Sequence, residues 1–141
     1  MVFFCLLQLM ATTNQTIPGG VPATVFVVDD EPMLLELAAA LLQPAGFNVR
    51  TFRDPQAALV EFSAANPQPT VLVTDYAMGA MNGLDLIREC RQIQPLQKIL
   101  LLSGTVNKSI YDDAPVKPDC FLAKPYQPHD FIALVQSLAA A

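Results

Sequence analysis

From residue 24 onward the chain alternates between short apolar runs and amphipathic segments, and this alternation constrains the fold more than any other feature. Short runs rich in β-branched residues predict buried strands, and leucines or alanines at helical spacing predict the helices between them. Strands are predicted over 24–28, 48–52, 70–74, 98–103 and 120–123, and helices over 31–42, 55–65, 83–92 and 129–138. The segment 105–114 is only weakly helical, and Pro115 and Pro118 end whatever forms there.

Strict alternation of strands and helices predicts one parallel sheet that is covered by helices on both faces. With right-handed crossovers, five strands and five helices form a flavodoxin-like, doubly wound α/β fold of strand order 2-1-3-4-5. In such sheets ligands bind beyond the carboxyl ends of the strands, where the winding direction reverses. That point lies between strands one and three of this chain.

Polar side chains stand at the carboxyl ends of four predicted strands. Asp29 and Asp30 follow strand one, Asp75 ends strand three, Ser103 ends strand four and Lys124 follows strand five. Neighbouring carboxylates repel one another and resist burial, so their placement after an apolar run predicts a bound cation. Each residue also has a plain structural interpretation, because acidic residues often cap helices and lysines are often solvated. Their convergence on one edge favours a site.

Composition limits the classes of function. The chain has 141 residues, which suits one domain, and its 52% hydrophobic content favours a compact fold. Its net charge of −5 and its lack of a basic run argue against nucleic-acid binding by this chain alone. The three cysteines, Cys5, Cys90 and Cys120, are scattered without CxxC spacing. They are interpreted as reduced, packed thiols of a cytoplasmic protein.

The first 22 residues are interpreted as a flexible leader, and the folded domain as residues 23–141. The opening MVFFCLLQLMA resembles the apolar part of a secretory signal, but it has no basic region and is too short to span a bilayer. We therefore expect no membrane association. Met10 is an alternative start, because a polar stretch typical of a leader follows it.

Four motifs of this chain, in order VVDDEP, VLVTDYAMGAMNGLDLI, ILLLSG and FLAKP, resemble those of response-regulator receiver domains of two-component signalling. The resemblance covers nearly all of residues 23–141 and keeps the order and approximate spacing of the family. It implies that Asp75 is the phosphoacceptor, and that Lys124 contacts a phosphoryl oxygen. It also implies a Mg²⁺ ion held by Asp29, Asp30, Asp75 and the backbone carbonyl of Ala77. Ser103 and Phe121 would be the switch residues.

The resemblance implies partners and an activity as well. A histidine kinase or phosphotransfer protein would supply the phosphoryl group, and a downstream protein would recognise the phosphorylated state, with homodimerisation left open. The chain would be a phosphorylation switch, and not an enzyme beyond weak self-phosphorylation and self-dephosphorylation. The alternatives are a receiver-like interaction module that is not phosphorylated, and the receiver end of a larger hybrid kinase.

Several features refine or depart from the family pattern. The resemblance implies a cis Lys124–Pro125 bond, and we expect nearby cations to lower the pKa of Asp75. Gly79 stands where a proline is common, which predicts a more flexible loop. The stretch DDAPVKPD, residues 112–119, replaces a usual small-residue turn. Ala77 and Thr105 lack the acid or amide side chains that position a hydrolytic water, and Gly104 leaves space for a phosphodonor, so we expect a long-lived phosphoryl group.

Overall fold

A computed structural model describes residues 21–104 and 113–141 of the chain. Its five strands form one parallel sheet of order β2-β1-β3-β4-β5, which confirms the predicted flavodoxin-like topology. The strands are β1 (Thr24–Val28), β2 (Asn48–Phe52), β3 (Val71–Asp75), β4 (Lys98–Ser103) and β5 (Cys120–Ala123). The third strand thus begins and ends one residue later than predicted.

Four helices lie within the described residues. They are α1 (Pro32–Leu42), α2 (Pro55–Ala64), α3 (Gly83–Ile93) and α4 (Pro128–Ala140). The predicted weak helix over 105–114 falls almost entirely outside the described residues. The predicted bounds of the other four helices agree with the observed ones to within two residues, which is the usual uncertainty of helix ends.

Local sequence signals explain where the two middle helices begin. Asp54 caps α2 by accepting a hydrogen bond from the backbone N–H of Gln56 at 3.0 Å, and a proline occupies the first helical position. Helix α3 begins with a reciprocal capping box. The Asn82 side chain accepts from the Asp85 N–H at 2.9 Å, and the Asp85 carboxylate accepts from the Asn82 N–H at 3.2 Å.

The sheet separates two hydrophobic clusters, because successive side chains of a strand point to opposite faces. In β1, Val25 and Val27 pack with helices α1 and α4, whereas Phe26 and Val28 pack with α2 and α3. The same alternation continues in β3 and β4. Apolar side chains therefore fill most of both faces of the sheet, and the buried carboxylates of Asp29 and Asp75 lie at the carboxyl ends of its strands.

A polar network lies at the amino-terminal ends of β4 and β5. This end of the sheet is opposite to the one that carries the acidic residues. The Arg91 guanidinium at the end of α3 donates to the carbonyl of Gln97 at 3.1 Å, to the carbonyl of Lys117 at 2.7 Å and to Asp119 at 2.8 Å. Asp119 Oδ2 also accepts from the Ile99 N–H at 2.8 Å. These bonds tie α3, β4 and the entry to β5 together.

The cysteines differ in state. Cys90 is a free, buried thiol. Burial raises its pKa to about 12, which fits an inert packed side chain. Cys120 is disulfide-bonded, so the expectation of three reduced thiols is wrong for that residue. Spacing along the chain carries no information on which sulfur atoms meet in space, and sequence reasoning therefore missed this bond.

Residues 1–20, which make up most of the predicted leader, lie outside the described part of the chain. Whether the folded domain begins at residue 23 therefore stays a prediction. Among the residues that the structure describes, none of the helices has both the length and the hydrophobicity that crossing a bilayer requires.

Replacing Gly83 with alanine is expected to destabilise the fold by about 2 kcal/mol, the usual cost of overpacking. A Cβ at this position would overlap the backbone carbonyl oxygen of Asp75 and would lie 2.9 Å from Leu101 Cδ1. The matched control is Gly104→Ala, whose new Cβ would meet Lys124 Cβ at an ordinary 3.7 Å and no closer atom of the described residues. Urea unfolding midpoints measure the difference, and equal midpoints for the two variants would contradict the close approach.

Arg91→Lys is expected to lower the free energy of unfolding by about 1 to 2 kcal/mol, because an ammonium cannot make three hydrogen bonds in the planar arrangement of a guanidinium. The control is Arg88→Lys, since Arg88 is half-exposed and its ion pairs with described residues, both on its own helix, are long at 3.7 to 3.9 Å. Chemical denaturation of both variants tests this. If Arg88→Lys lowers the free energy of unfolding as much as Arg91→Lys does, the network does not contribute the expected stability.

Candidate functional site

The carboxyl ends of β1, β3, β4 and β5 bring the predicted polar residues to one edge of the sheet. Strand register sets this convergence, because Val28 lies opposite Thr74, Asp75 opposite Leu102 and Ser103 opposite Ala123. The chain then leaves each strand at nearly the same level. Asp29, Asp75 and Ser103 are buried, Lys124 is half-buried, and Asp30 is exposed.

Lys124 bridges two carboxylates that come from different strands. Its Nζ lies 3.1 Å from Asp29 Oδ2 and 3.0 Å from Asp75 Oδ1. The backbone N–H of Lys124 donates to the carbonyl of Ser103 at 2.9 Å, which fixes the start of the side chain beside β4. The Lys124–Pro125 bond is cis, as predicted. The ammonium therefore points into the acidic cluster and not into solvent.

Asp29 is held in place from both sides. Its Oδ1 accepts from the backbone N–H of Glu31 at 3.0 Å, and its own N–H donates to the carbonyl of Phe52 at 3.0 Å. A carboxylate offers about four lone-pair positions, so these bonds and the one to Lys124 leave Asp29 with further acceptor capacity. The side chain is thus oriented and still able to bind a cation.

Burial dominates the electrostatics of Asp75. Desolvation raises the pKa of Asp75 above its ordinary value, although the hydrogen bond and charge of Lys124 act to lower it. The cost of desolvation thus outweighs the attraction from Lys124 alone, and a pKa of Asp75 lowered by a cation on each side stays a prediction. For Lys124 burial acts to lower the pKa, but hydrogen bonds to Asp75 and Asp29 outweigh it and raise the pKa above its usual range.

Asp29, Asp30 and Asp75 form a group whose carboxylate oxygens lie within 4.8 Å of one another. Two of these side chains are buried and one is exposed, so the group opens to solvent on the side of Asp30. Hard divalent cations such as Mg²⁺ prefer oxygen ligands and are commonly held by one or two carboxylates with several waters. The chemistry of this donor set fits such an ion.

The loop after β3 is tied at both of its ends. The Tyr76 N–H donates to the carbonyl of Leu102 at 2.9 Å, and the Gly83 N–H donates to the carbonyl of Tyr76 at 2.7 Å. Gly79, at the tip, has a φ of +78°, a backbone conformation that favours glycine. Ala77 is exposed on this loop next to Asp75, and its role as a backbone ligand stays a prediction.

The two predicted switch residues lie on neighbouring strands. Ser103 is buried at the end of β4, and Phe121 is half-buried in the middle of β5, where it packs with the cluster under α2 and α3. Phe121 pairs with Leu101 in the strand register, and Ser103 lies two residues further along β4. Their roles in switching stay predictions.

Sequence reasoning missed the contacts that two side chains near the site make. The buried Thr74 hydroxyl donates to the carbonyl of Asp75 at 3.0 Å and lies 3.8 Å from the sulfur of Met78. Tyr126, two residues after Lys124, stacks on Phe131 of α4. The aromatic residue directly after the Lys-Pro pair was the available signal for Tyr126, whereas nothing in the sequence distinguishes Thr74 from an ordinary strand residue.

The curated proteins that this chain resembles include transcriptional regulatory proteins and a two-component response regulator. The chain is 38% identical over 85 residues to the probable transcriptional regulatory protein TcrX of Mycobacterium tuberculosis. The matched residues cover 60% of this chain and 36% of the relative. The chain is 31% identical over 133 residues to the regulator SphR of Synechococcus elongatus, with 86% and 51% covered. The rice response regulator ORR11 is 29% identical over 123 residues, with 85% and 83% covered. The chain thus spans about half or less of the two transcriptional regulators.

Solved structures and a family model agree with these relatives. The chemotaxis protein CheY4 of Vibrio cholerae has a TM-score of 0.75 at 25% identity, covering 82% of this chain and 98% of that one. A receiver domain protein of Clostridium thermocellum has a TM-score of 0.73 at 25% identity, covering 84% and 95%. The model of the response regulator receiver domain matches residues 25–136. The chain therefore belongs to the response regulator receiver domain family.

Proposed function

We propose that this receiver domain accepts a phosphoryl group on Asp75 from a histidine kinase or a phosphotransfer protein, and that the phosphorylated state changes its binding to other proteins. One observation carries the proposal. Lys124 bridges Asp75 and Asp29 at 3.0 and 3.1 Å, and Asp30 completes a group of three carboxylates beside them. The receiver family is a phosphorylation switch and not a class of enzymes in the usual sense.

In the proposed reaction a carboxylate oxygen of Asp75 attacks the phosphorus of a phosphohistidine. The new bond is an acyl phosphate on Asp75, the phosphorus–nitrogen bond breaks, and its electron pair stays on the imidazole of the donor. An ionised carboxylate needs no general base for this step. Lys124 would remain against the transferred group and stabilise the charge on its oxygens, because a cation fixed in advance costs no reorganisation during the reaction.

Asp29, Asp30 and Asp75, together with the backbone carbonyl of Ala77, would hold the Mg²⁺ ion. A bound Mg²⁺ would neutralise charge on the phosphoryl oxygens and relieve repulsion among the three carboxylates. The buried side chain of Asp29 supports this role, since its hydrogen bond from the Glu31 N–H already orients it. The exposed Asp30 leaves an entry path from solvent.

Ser103 and Phe121 would transmit the change. The Ser103 hydroxyl would turn toward the phosphoryl group, and Phe121 would change its rotamer on the neighbouring strand. The proximity of Ser103 to Lys124 supports this proposal, because the Ser103 carbonyl accepts from the Lys124 N–H at 2.9 Å. A downstream protein would then recognise the altered surface.

Incubation with Mg²⁺ and acetyl phosphate is expected to add one phosphoryl group per chain, and peptide mapping is expected to locate it on Asp75. Asp75→Asn should abolish the label, because an amide is a poor nucleophile toward phosphorus. Glu36→Gln is the matched control, since it removes an exposed carboxylate from α1 and should label like wild type. The absence of any label on the wild-type chain would favour the alternative of an interaction module that is not phosphorylated.

Mg²⁺ is expected to raise the melting temperature of the wild-type chain, because an ion that binds only the folded state stabilises it by mass action. Asp30→Asn should weaken the apparent Mg²⁺ affinity by at least about tenfold, since it removes one ligand from a small set. Its melting temperature at zero Mg²⁺ should stay close to wild type, because Asp30 is exposed. Titrations followed by thermal unfolding measure both quantities, with Glu36→Gln as control.

An unchanged Mg²⁺ dependence in Asp30→Asn would remove this residue from the ion site. A loss of stability in that variant without added ion would instead indicate a structural role for its carboxylate.

A further inference from the structure

Tyr126 connects the chain directly after Lys124 to the hydrophobic core. Its ring stacks on that of Phe131, with ring centroids 5.1 Å apart and an angle of 24° between the planes. Phe131 is fully buried in the first turns of α4, within the cluster that also contains α1. The half-buried Tyr126 packs against this same cluster. The stack therefore anchors the backbone only two residues from Lys124.

Lys124 needs such an anchor. Its side chain has four rotatable bonds, and holding its ammonium between two carboxylates restricts all of them, at a considerable cost in rotamer entropy. The backbone of Lys124 is fixed on the strand side by its hydrogen bond to the Ser103 carbonyl at 2.9 Å. On the other side the chain turns away from the sheet toward α4, and Tyr126 is the first residue there that packs against the core.

We propose that Tyr126 is a positioning residue for Lys124, whose ring stack on Phe131 fixes the chain so that the ammonium reaches both Asp75 and Asp29. The inference rests on the proposed function, since it assigns a residue to the phosphoryl-transfer site. Tyr126 itself acts on the reacting atoms only through Lys124. A small displacement of the chain at Tyr126 moves the ammonium away from one carboxylate, because its two contacts are already close to the ordinary hydrogen-bond length.

The ring, and not the hydroxyl, carries the proposed role. Stacked aromatic pairs gain energy from their relative geometry in addition to the area that they bury. Tyr126→Phe keeps the stack and should behave as wild type. Tyr126→Leu keeps an apolar side chain but loses the planar ring, and Phe131→Leu removes the other ring of the same pair.

The first test is the rate of Asp75 labelling by acetyl phosphate with saturating Mg²⁺. Tyr126→Leu and Phe131→Leu are expected to lower the maximal labelling rate by about tenfold, as expected for a displaced catalytic group. The rate of Tyr126→Phe should stay within about twofold of wild type. The concentration of acetyl phosphate at half-maximal rate should change little. In a Lys124→Met background, Tyr126→Leu should cause no further loss, since the group that it positions is already absent.

The second test does not depend on phosphorylation. An ammonium held by two carboxylates exchanges its protons slowly with water, so the side-chain ammonium resonance of Lys124 should be visible in an isotope-labelled sample. The absence of this resonance from the spectrum of Lys124→Met assigns the resonance to Lys124. The resonance is expected to persist in Tyr126→Phe and to broaden beyond detection in Tyr126→Leu and Phe131→Leu, while urea unfolding confirms that each variant is folded.

These readouts separate the two proposals. If the wild-type chain takes no label but the ammonium resonance is lost in Tyr126→Leu, the positioning role stands and the proposed function fails. The positioning role is overturned if both leucine variants keep the resonance and the wild-type rate. It is also overturned if Tyr126→Leu slows labelling by the same factor with and without Lys124, because that result indicates general damage to the fold.

Discussion

The site depends on one ammonium group placed between two buried carboxylates. Asp29 and Asp75 leave neighbouring strands and are both almost excluded from water, where unpaired negative charges are costly. Lys124 contacts one oxygen of each and offsets part of this cost. Burial raises the pKa of Asp75 even with Lys124 in contact. Three carboxylates thus share the site with the ammonium of Lys124, and this excess of negative charge supports the proposed binding of a divalent ion.

The fold and the composition of the site followed closely from the sequence, for a physical reason. Short apolar runs separated by amphipathic segments admit few arrangements other than a parallel sheet, and parallel strands end at the same edge. Asp29, Asp75, Ser103 and Lys124 could thus be assigned to one place from their position in the pattern. The one-residue displacement of β3 matters little, because Asp75 lies at the strand end in both descriptions.

Other features depend on contacts between distant residues, which a single sequence does not encode locally. Arg91 and Asp119 are 28 positions apart and meet where the end of α3 lies beside the residue that precedes β5. The direction of the pKa shift of Asp75 depends on how deeply the strand end is buried in the tertiary fold. The disulfide of Cys120 and the stack of Tyr126 on Phe131 likewise result from tertiary proximity.

The charged groups of the site differ in how firmly the sheet holds them. The carboxylates stand at the carboxyl ends of β1 and β3, each paired along both sides, whereas Lys124 follows β5, which within the described residues is an outer strand paired with β4 alone. An edge strand can shift or fray at a lower free-energy cost than an interior strand. The position of the ammonium thus rests on an outer strand of the sheet, whereas the positions of the two buried carboxylates rest on interior strands.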